Sequence, residues 1–173
     1  AKTMLYITMS DVTSALLFFL PAYFANTFAC IFGGGMPLDL GKNFVDGRRI
    51  LGDGVTIRGS FFGALTGVVA GLAKAWFQGD LTDYEITLAI LLSVGAILGD
   101  AIGSFIKRRL GIEKGRPAPL LDQLDFVFGA LLLASLITRI QMKTIIILVV
   151  LTPFGHLMVN MIGYCLKLKD VPW

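Results

Sequence analysis

Five long apolar runs, separated by polar stretches of very unequal length, make up most of this chain. They fall at about residues 8–32, 59–77, 85–106, 124–140 and 144–166. A helix needs about 20 apolar residues to cross a bilayer, so the pattern predicts an all-α membrane protein, a bundle of five transmembrane helices in a single integral membrane domain. The first run has only Lys2 ahead of it and is long enough to span, so it reads as a resident helix and not as a cleaved signal peptide. It contains Pro21, where a kink is expected. In the second run Gly59, Gly63, Gly67 and Gly71 recur at every fourth position and line one face. Small residues at that spacing let helices approach closely, and this face is open to packing within the chain or between subunits. No internal repeat or low-complexity segment is present.

The connections carry the polar residues. Two are long, about 33–58 and 107–123, and two are short, 78–84 and the neighbourhood of Gln141. Alternating spans put both long loops and the C-terminus on one side. That side carries eleven cations: Lys42, Arg48, Arg49, Arg58, Lys107, Arg108, Arg109, Lys114, Arg116, Lys167 and Lys169. The other carries four: Lys2, Lys74, Arg139 and Lys143. An excess of Lys and Arg marks the cytoplasmic face, so the N-terminus is expected outside, the C-terminus inside, and both long loops in the cytosol. The first loop also holds Leu38, Phe44, Ile50, Leu51, Val55 and Ile57, which predicts an ordered segment packed on the bundle.

Composition sharpens this picture. The chain has 173 residues, 55% hydrophobic and 16% charged, with mean hydropathy +0.78, against about 25% charged in soluble domains. A net charge of +3 is too small to argue for nucleic acid. Cys30 and Cys165 lack any CxxC or zinc spacing and read as small apolar residues.

Candidate chemistry collects where the third run ends and the fourth begins. Asp100 sits inside the third run, where a carboxylate is costly and needs a partner. Ser104 and Lys107, at i+4 and i+7, share its helix face, with Arg108 beside them, whereas Arg109 points off that face. A structural ion pair from Asp100 to Lys107 or Arg108 is one reading. Asp122 and Asp125 open the fourth run; Asp122 suits a helix N-terminus, while Asp125 lies a turn deeper. Neighbouring carboxylates repel unless a cation joins them, and an all-oxygen donor set suits Mg²⁺. Cations that recognise phosphate beside carboxylates that hold Mg²⁺ describe a phosphoryl or nucleotidyl transfer site.

The first loop repeats the mixture. Gly33, Gly34 and Gly35 offer successive N–H groups as an anion nest, although no Walker motif follows. Asp39, Asp46 and Asp53 alternate with Lys42, Arg48, Arg49 and Arg58. His156, Asn26 and Asn160 lie within spans and read as hydrogen-bonding partners between helices.

These residues resemble a known family. Gly99-Asp100, Ser104-x-x-Lys107-Arg108 and Asp122-x-x-Asp125 are similar, in order, to the signature of CTP-dependent phosphatidate cytidylyltransferases. The His-Gly-Gly element usual in the bacterial and eukaryotic branch is replaced here by residues 116–121. The archaeal branch, the CDP-archaeol synthases, is the nearer likeness: Gly33-Gly34-Gly35-x-Pro37-x-Asp39 and Asp46-Gly47-Arg48-Arg49 match its loop elements, and Val55 stands where that branch commonly has lysine. The resemblance implies a membrane cytidylyltransferase that moves CMP from CTP to an isoprenoid ether-lipid phosphate, giving a CDP-lipid and pyrophosphate. It implies Mg²⁺ on Asp100, Asp122 and Asp125, with Ser104 helping, and Lys107 and Arg108 stabilising the leaving pyrophosphate. Gly33, Gly34, Gly35, Pro37, Asp39, Lys42, Asp46, Arg48, Arg49, Thr56 and Arg58 become the candidate contacts for nucleotide and headgroup.

Other readings predict different patterns. A cation transporter needs polar residues along whole helices, and here they gather at one end. A CDP-alcohol phosphotransferase needs an Asp-x-x-Asp-Gly-x-x-Ala-Arg pattern, which is absent. A lipid-binding assembly subunit has no use for the Asp residues. A synthase acting on acyl phosphatidic acid is the nearest alternative substrate choice.

Overall fold

Helix caps written into the sequence set the elements of the computed structural model, which describes residues 6–113, 116 and 118–165. Helix α1, Met9–Ile31, opens on a capping box: the Thr8 hydroxyl accepts from the Asp11 N–H, and the Asp11 carboxylate accepts from the Thr8 N–H. Helix α2, Ile57–Gln78, is capped by Thr56 and closed by Gly79 in the left-handed conformation, φ 69°. Helix α3, Asp83–Arg109, is capped by Thr82, and α4 and α5 run over Leu121–Ala134 and Met142–Cys165. Five helices therefore replace the five apolar runs, and Pro21 and Pro153 lie inside helices that continue through them.

The fourth element departs from expectation. It starts at Leu121 and stops at Ala134, not at residue 140. Fourteen residues rise only about 21 Å, short of an apolar core about 30 Å thick. Residues 135–138 leave the helix as tight turns, with the Ile137 and Thr138 N–H groups both donating to the Ala134 carbonyl. Met9–Ile31, Ile57–Gln78 and Asp83–Arg109 are long and apolar enough to cross a membrane. The side chains of His156 and Asn160 fall outside the described set.

Neighbouring helices pack antiparallel through glycine. A Cβ at Gly63 would come within 2.7 Å of the Ala25 carbonyl oxygen and Ala29 Cβ on α1, and one at Gly67 within 2.5 Å of Ser93 Oγ on α3. The glycine face of α2 is thus spent inside the chain, wedged between α1 and α3. A second stripe on α3, with Gly95 and Gly99 against Gly129 of α4 and Gly103 against Asp125, does the same for the α3–α4 seam. Phe19, Ala22, Leu92, Phe126, Val127 and Leu148 form the core between them. Helix α5 lies along α1, where Tyr23 and Thr152 share a hydroxyl–hydroxyl hydrogen bond of 2.8 Å.

Residues 33–56 are the ordered loop expected from their apolar content. Strand-like pairing nests twice: Leu38 N–H donates to the Val55 carbonyl and Ile57 N–H to Met36, then Ile50 N–H to Lys42 and Phe44 N–H to Arg48. Gly47, φ 77°, makes the tip. This topology gathers loop one, the α3 C-terminus and the α4 N-terminus at one end of the bundle.

Candidate active site

Asp125 occupies the notch that Gly103 leaves on α3; any Cβ at residue 103 would overlap its carboxylate. Its Oδ1 accepts from the Phe126 N–H at 2.7 Å, while Oδ2 is buried without a hydrogen-bond partner. Asp100, one turn before Gly103, acts electrostatically on it, as do Lys107 and Asp122. Asp100 and Asp125 stand on the two helices of a glycine-lined seam, and among the described residues no group donates to the buried Asp125 Oδ2. Such an atom is unfavourable unless something fills the gap.

Asp122 is differently placed. Its Oδ1 takes the Lys107 ammonium at 2.7 Å and its Oδ2 accepts from the Ala118 N–H at 2.8 Å. The turn behind it forces Leu120 to φ 67°, a strained conformation for leucine. Among the described residues no three acidic, His or Cys side chains stand close enough to hold one ion. The three-carboxylate cradle expected from the sequence is therefore not assembled, because Lys107 draws Asp122 to itself. The alternative ion pair from Asp100 to Lys107 is not the one formed either. The remaining pair still fits Mg²⁺, which is usually held by one or two carboxylates together with substrate phosphates. The donors are hard oxygens, and the orphaned Asp125 Oδ2 is the structural mark of the fit. Ser104 is buried on the same turn of α3 as Gly103.

Loop one proves to be built by the residues expected to touch substrate. Asp39 is wholly buried and accepts five hydrogen bonds: from the Arg49 Nε and guanidinium NH2, and from the Gly41, Leu51 and Gly52 N–H groups. Burial pushes its pKa up, but Arg49 and the three backbone donors outweigh this and hold it well below the usual carboxylate range. Arg49 reaches from Asp39 to Asp53, at 2.6 and 2.8 Å. Arg48 donates to the carbonyls of Arg108 and Arg109, and Arg58 to those of Phe32 and Gly33, so each satisfies the open C-terminus of a helix. Thr56 caps α2 and pairs with Pro37. Asp39, Arg48, Arg49, Arg58 and Thr56 are thus engaged as scaffold. Gly34 and Gly35 take positive φ of 92° and 79°. Lys42 is exposed, and its ammonium makes no ion pair among the described residues.

The end of α3 presents its cations in three directions. Lys107 turns to α4. Arg108 donates to the Ile112 carbonyl at 2.8 Å and lies over Gly52, where a Cβ would come within 3.1 Å of its Nε. Arg109, expected to point away from the chemistry, is half-buried against loop one: its guanidinium carbon is 5.1 Å from the Phe44 ring centre and 4.7 Å from that of Phe105, it donates to the Arg49 carbonyl, and its Nε is 3.1 Å from Asp46. Nothing in the local sequence pattern announces this, since every partner but Phe105 comes from loop one. The α3 glycine stripe repeats the four-residue spacing seen in α2, and that spacing is its signal in the sequence.

Long apolar helices with cations and carboxylates gathered at one end define an integral membrane enzyme that works where headgroups lie. The comparisons narrow the class. The CarS-like CDP-archaeol synthase family profile matches residues 8–173. The CDP-archaeol synthase of Methanocaldococcus jannaschii is 54% identical over 171 residues, covering 92% of this chain and 96% of the relative. That of Methanopyrus kandleri is 51% identical over 165 residues, covering 94% of each. A solved structure described as an intramembrane enzyme for archaeal membrane lipids biosynthesis superposes with a TM-score of 0.80 at 41% identity, covering 86% of this chain and 94% of that one. The chain belongs to the CDP-archaeol synthase family, whose members are CTP-dependent cytidylyltransferases.

Proposed function

We propose that this chain transfers CMP from CTP to an isoprenoid ether-lipid phosphate, unsaturated archaetidic acid, at the α3–α4 seam, giving CDP-archaeol and pyrophosphate. In that reaction an oxygen of the lipid phosphate attacks the α-phosphorus of CTP, and the bond from that phosphorus to the bridging oxygen of pyrophosphate breaks. A phosphate monoester has its second pKa near 6, so the nucleophile is already anionic and no protein base is needed. What remains for the protein is placement and charge neutralisation.

Asp100 and Asp125 would hold a divalent cation, Mg²⁺ by the chemistry of the donors, which when bound neutralises the triphosphate charge. Lys107, braced by Asp122, and Arg108, braced by Gly52, carry the positive charge that stabilises the departing pyrophosphate. Gly33 is engaged, its N–H donating to the Cys30 carbonyl and its own carbonyl accepting from Arg58, so Lys42 and the turn at Gly34 and Gly35 are the loop groups proposed to meet phosphate. Beyond Asp125, a cavity of about 260 Å³ opens between α1, α4 and α5, walled by Leu16, Tyr23, Phe126 and Leu151, and it suits an apolar chain whose phosphate lies at the seam. The proposed orientation puts this end in the cytoplasm of the cell membrane with all five helices in the bilayer; the eleven-to-four cation imbalance supports it.

The observation that carries the proposal is the buried Asp125 Oδ2, which has no hydrogen-bond partner among the described residues, at the seam with the helix that carries Asp100 and Lys107. Purified protein given labelled CTP, Mg²⁺ and a panel of isoprenoid and acyl lipid phosphates is expected to form labelled CDP-lipid from the isoprenoid substrate, with one pyrophosphate per lipid, and EDTA is expected to stop it. Labelled product from acyl phosphatidic acid alone would overturn the substrate assignment, and no labelled lipid from any phosphate would overturn the activity.

A further inference from the structure

We infer that Arg109 is a positioning residue for the nucleotide site, acting through loop one on its own neighbour Arg108. The inference rests on the site proposed above. Residues 107, 108 and 109 follow one another at about 100° around the helix, so with Lys107 on the α4 side Arg109 faces loop one and touches no reacting group. Its contacts nevertheless close a circuit. The Arg109 guanidinium lies between Phe44 and Phe105 and donates to the Arg49 carbonyl. The Arg49 side chain grips Asp39, which accepts the N–H groups of Leu51 and Gly52. Gly52, at φ 83°, is the surface on which the Arg108 guanidinium lies. Arg48 reinforces the join by donating to the Arg108 and Arg109 carbonyls at 3.2 and 2.6 Å.

Two features mark Arg109 as more than a surface ion pair. Phe44 and Phe105 meet edge to face at 5.3 Å and 87°, leaving a corner that a flat guanidinium fills. The ion pair with Asp46 at 3.1 Å then fixes the ring-packed group from the loop tip. A lysine supplies the charge but neither the planar face nor the fork. Without this fastening the Gly52 platform is no longer held, and Arg108 loses the orientation in which it meets the triphosphate.

Steady-state kinetics on purified Arg109→Ala, Arg109→Lys and Phe44→Leu enzymes tests this. Loss of a group that orients another typically costs about 10–100-fold. Arg109→Ala is expected to raise KM for CTP about tenfold, toward the low end of that range, and to lower kcat, while KM for the lipid phosphate is unchanged. Arg109→Lys is expected to recover little of the loss, and Phe44→Leu to shift KM for CTP in the same direction. A merely structural role lowers the yield of folded enzyme and leaves KM for CTP at the wild-type value; that result in the folded variants would overturn the inference. If Arg109→Ala does not fold, the other two variants decide the matter by the same criterion. Asp125→Asn, run in parallel, separates the levels: an inactive Asp125→Asn with wild-type KM in the Arg109 and Phe44 variants removes this inference alone, whereas a fully active Asp125→Asn removes the site on which it rests.

Discussion

Asp39 and Asp125 look alike in the sequence, each an acidic residue within a conspicuous motif, and the fold gives them opposite roles. Asp39 is saturated by five donors and ties residues 39–52 into one unit. Asp125 keeps an oxygen that no described residue satisfies. Because the folded pKa of Asp39 is lowered, its contribution to loop stability is fully present above the ordinary carboxylate value, about 3.9, and is lost only as pH falls through the lower folded value. Loop one is therefore expected to resist pepsin at about pH 3.5, just below that ordinary value, and Asp39→Asn to be cut there many times faster. Equal cleavage of the two proteins would show that the carboxylate does not organise the loop. Sequence alone identified which residues carry charge but not which charges were already satisfied, because Arg49, Leu51 and Gly52, which supply four of the five donors to Asp39, lie ten or more positions away.

The helices were legible because hydropathy and caps act locally. Thr8, Thr56 and Thr82 fall where helices α1, α2 and α3 begin, and both boundaries drawn for each of these three helices lie within a few residues of the observed ones. The end of α4 was not legible: Leu136, Ile137 and Ile140 prolong the apolar run, but the hydrogen bonds at residues 135–138 have already turned the chain. Glycine spacing predicted that faces approach closely without saying which faces meet. The structure assigns one stripe to α1 and α3 and the other to the active seam. A methyl at Gly99 would overlap the backbone of Asp125 and Phe126, so Gly99→Ala is expected to cost about 1–3 kcal/mol, the usual range for overpacking, and to reduce turnover by parting α3 from α4. Gly155→Ala, which adds its methyl into open space, serves as the control in thermal unfolding in detergent. Equal melting temperatures for the two variants would contradict the close-packed seam.

For the molecule as a whole, the arrangement separates two solvents. Apolar helix faces meet lipid, and exposed Trp76 and Phe77 lie at the end away from loop one, where Lys74 and Glu85 pair at 2.7 Å. Charge that has to meet a nucleotide is confined to the other end. There loop one, folded by its own arginines, is fastened to the last turn of α3, which Lys107 ties to Asp122 on the first turn of α4. The proposed mechanism has CTP and its metal held by Asp100 and Asp125 at this seam. Spin-resonance titration of Mn²⁺, standing in for Mg²⁺, with and without CTP, on wild type, Asp100→Asn and Asp125→Asn tests it most directly. The wild type is expected to immobilise Mn²⁺ in a CTP-dependent manner. Each folded variant is expected to lose that signal and at least about 100-fold in turnover, the scale on which removal of one electrostatic stabiliser acts. Undiminished CTP-dependent Mn²⁺ binding in Asp125→Asn would contradict the account.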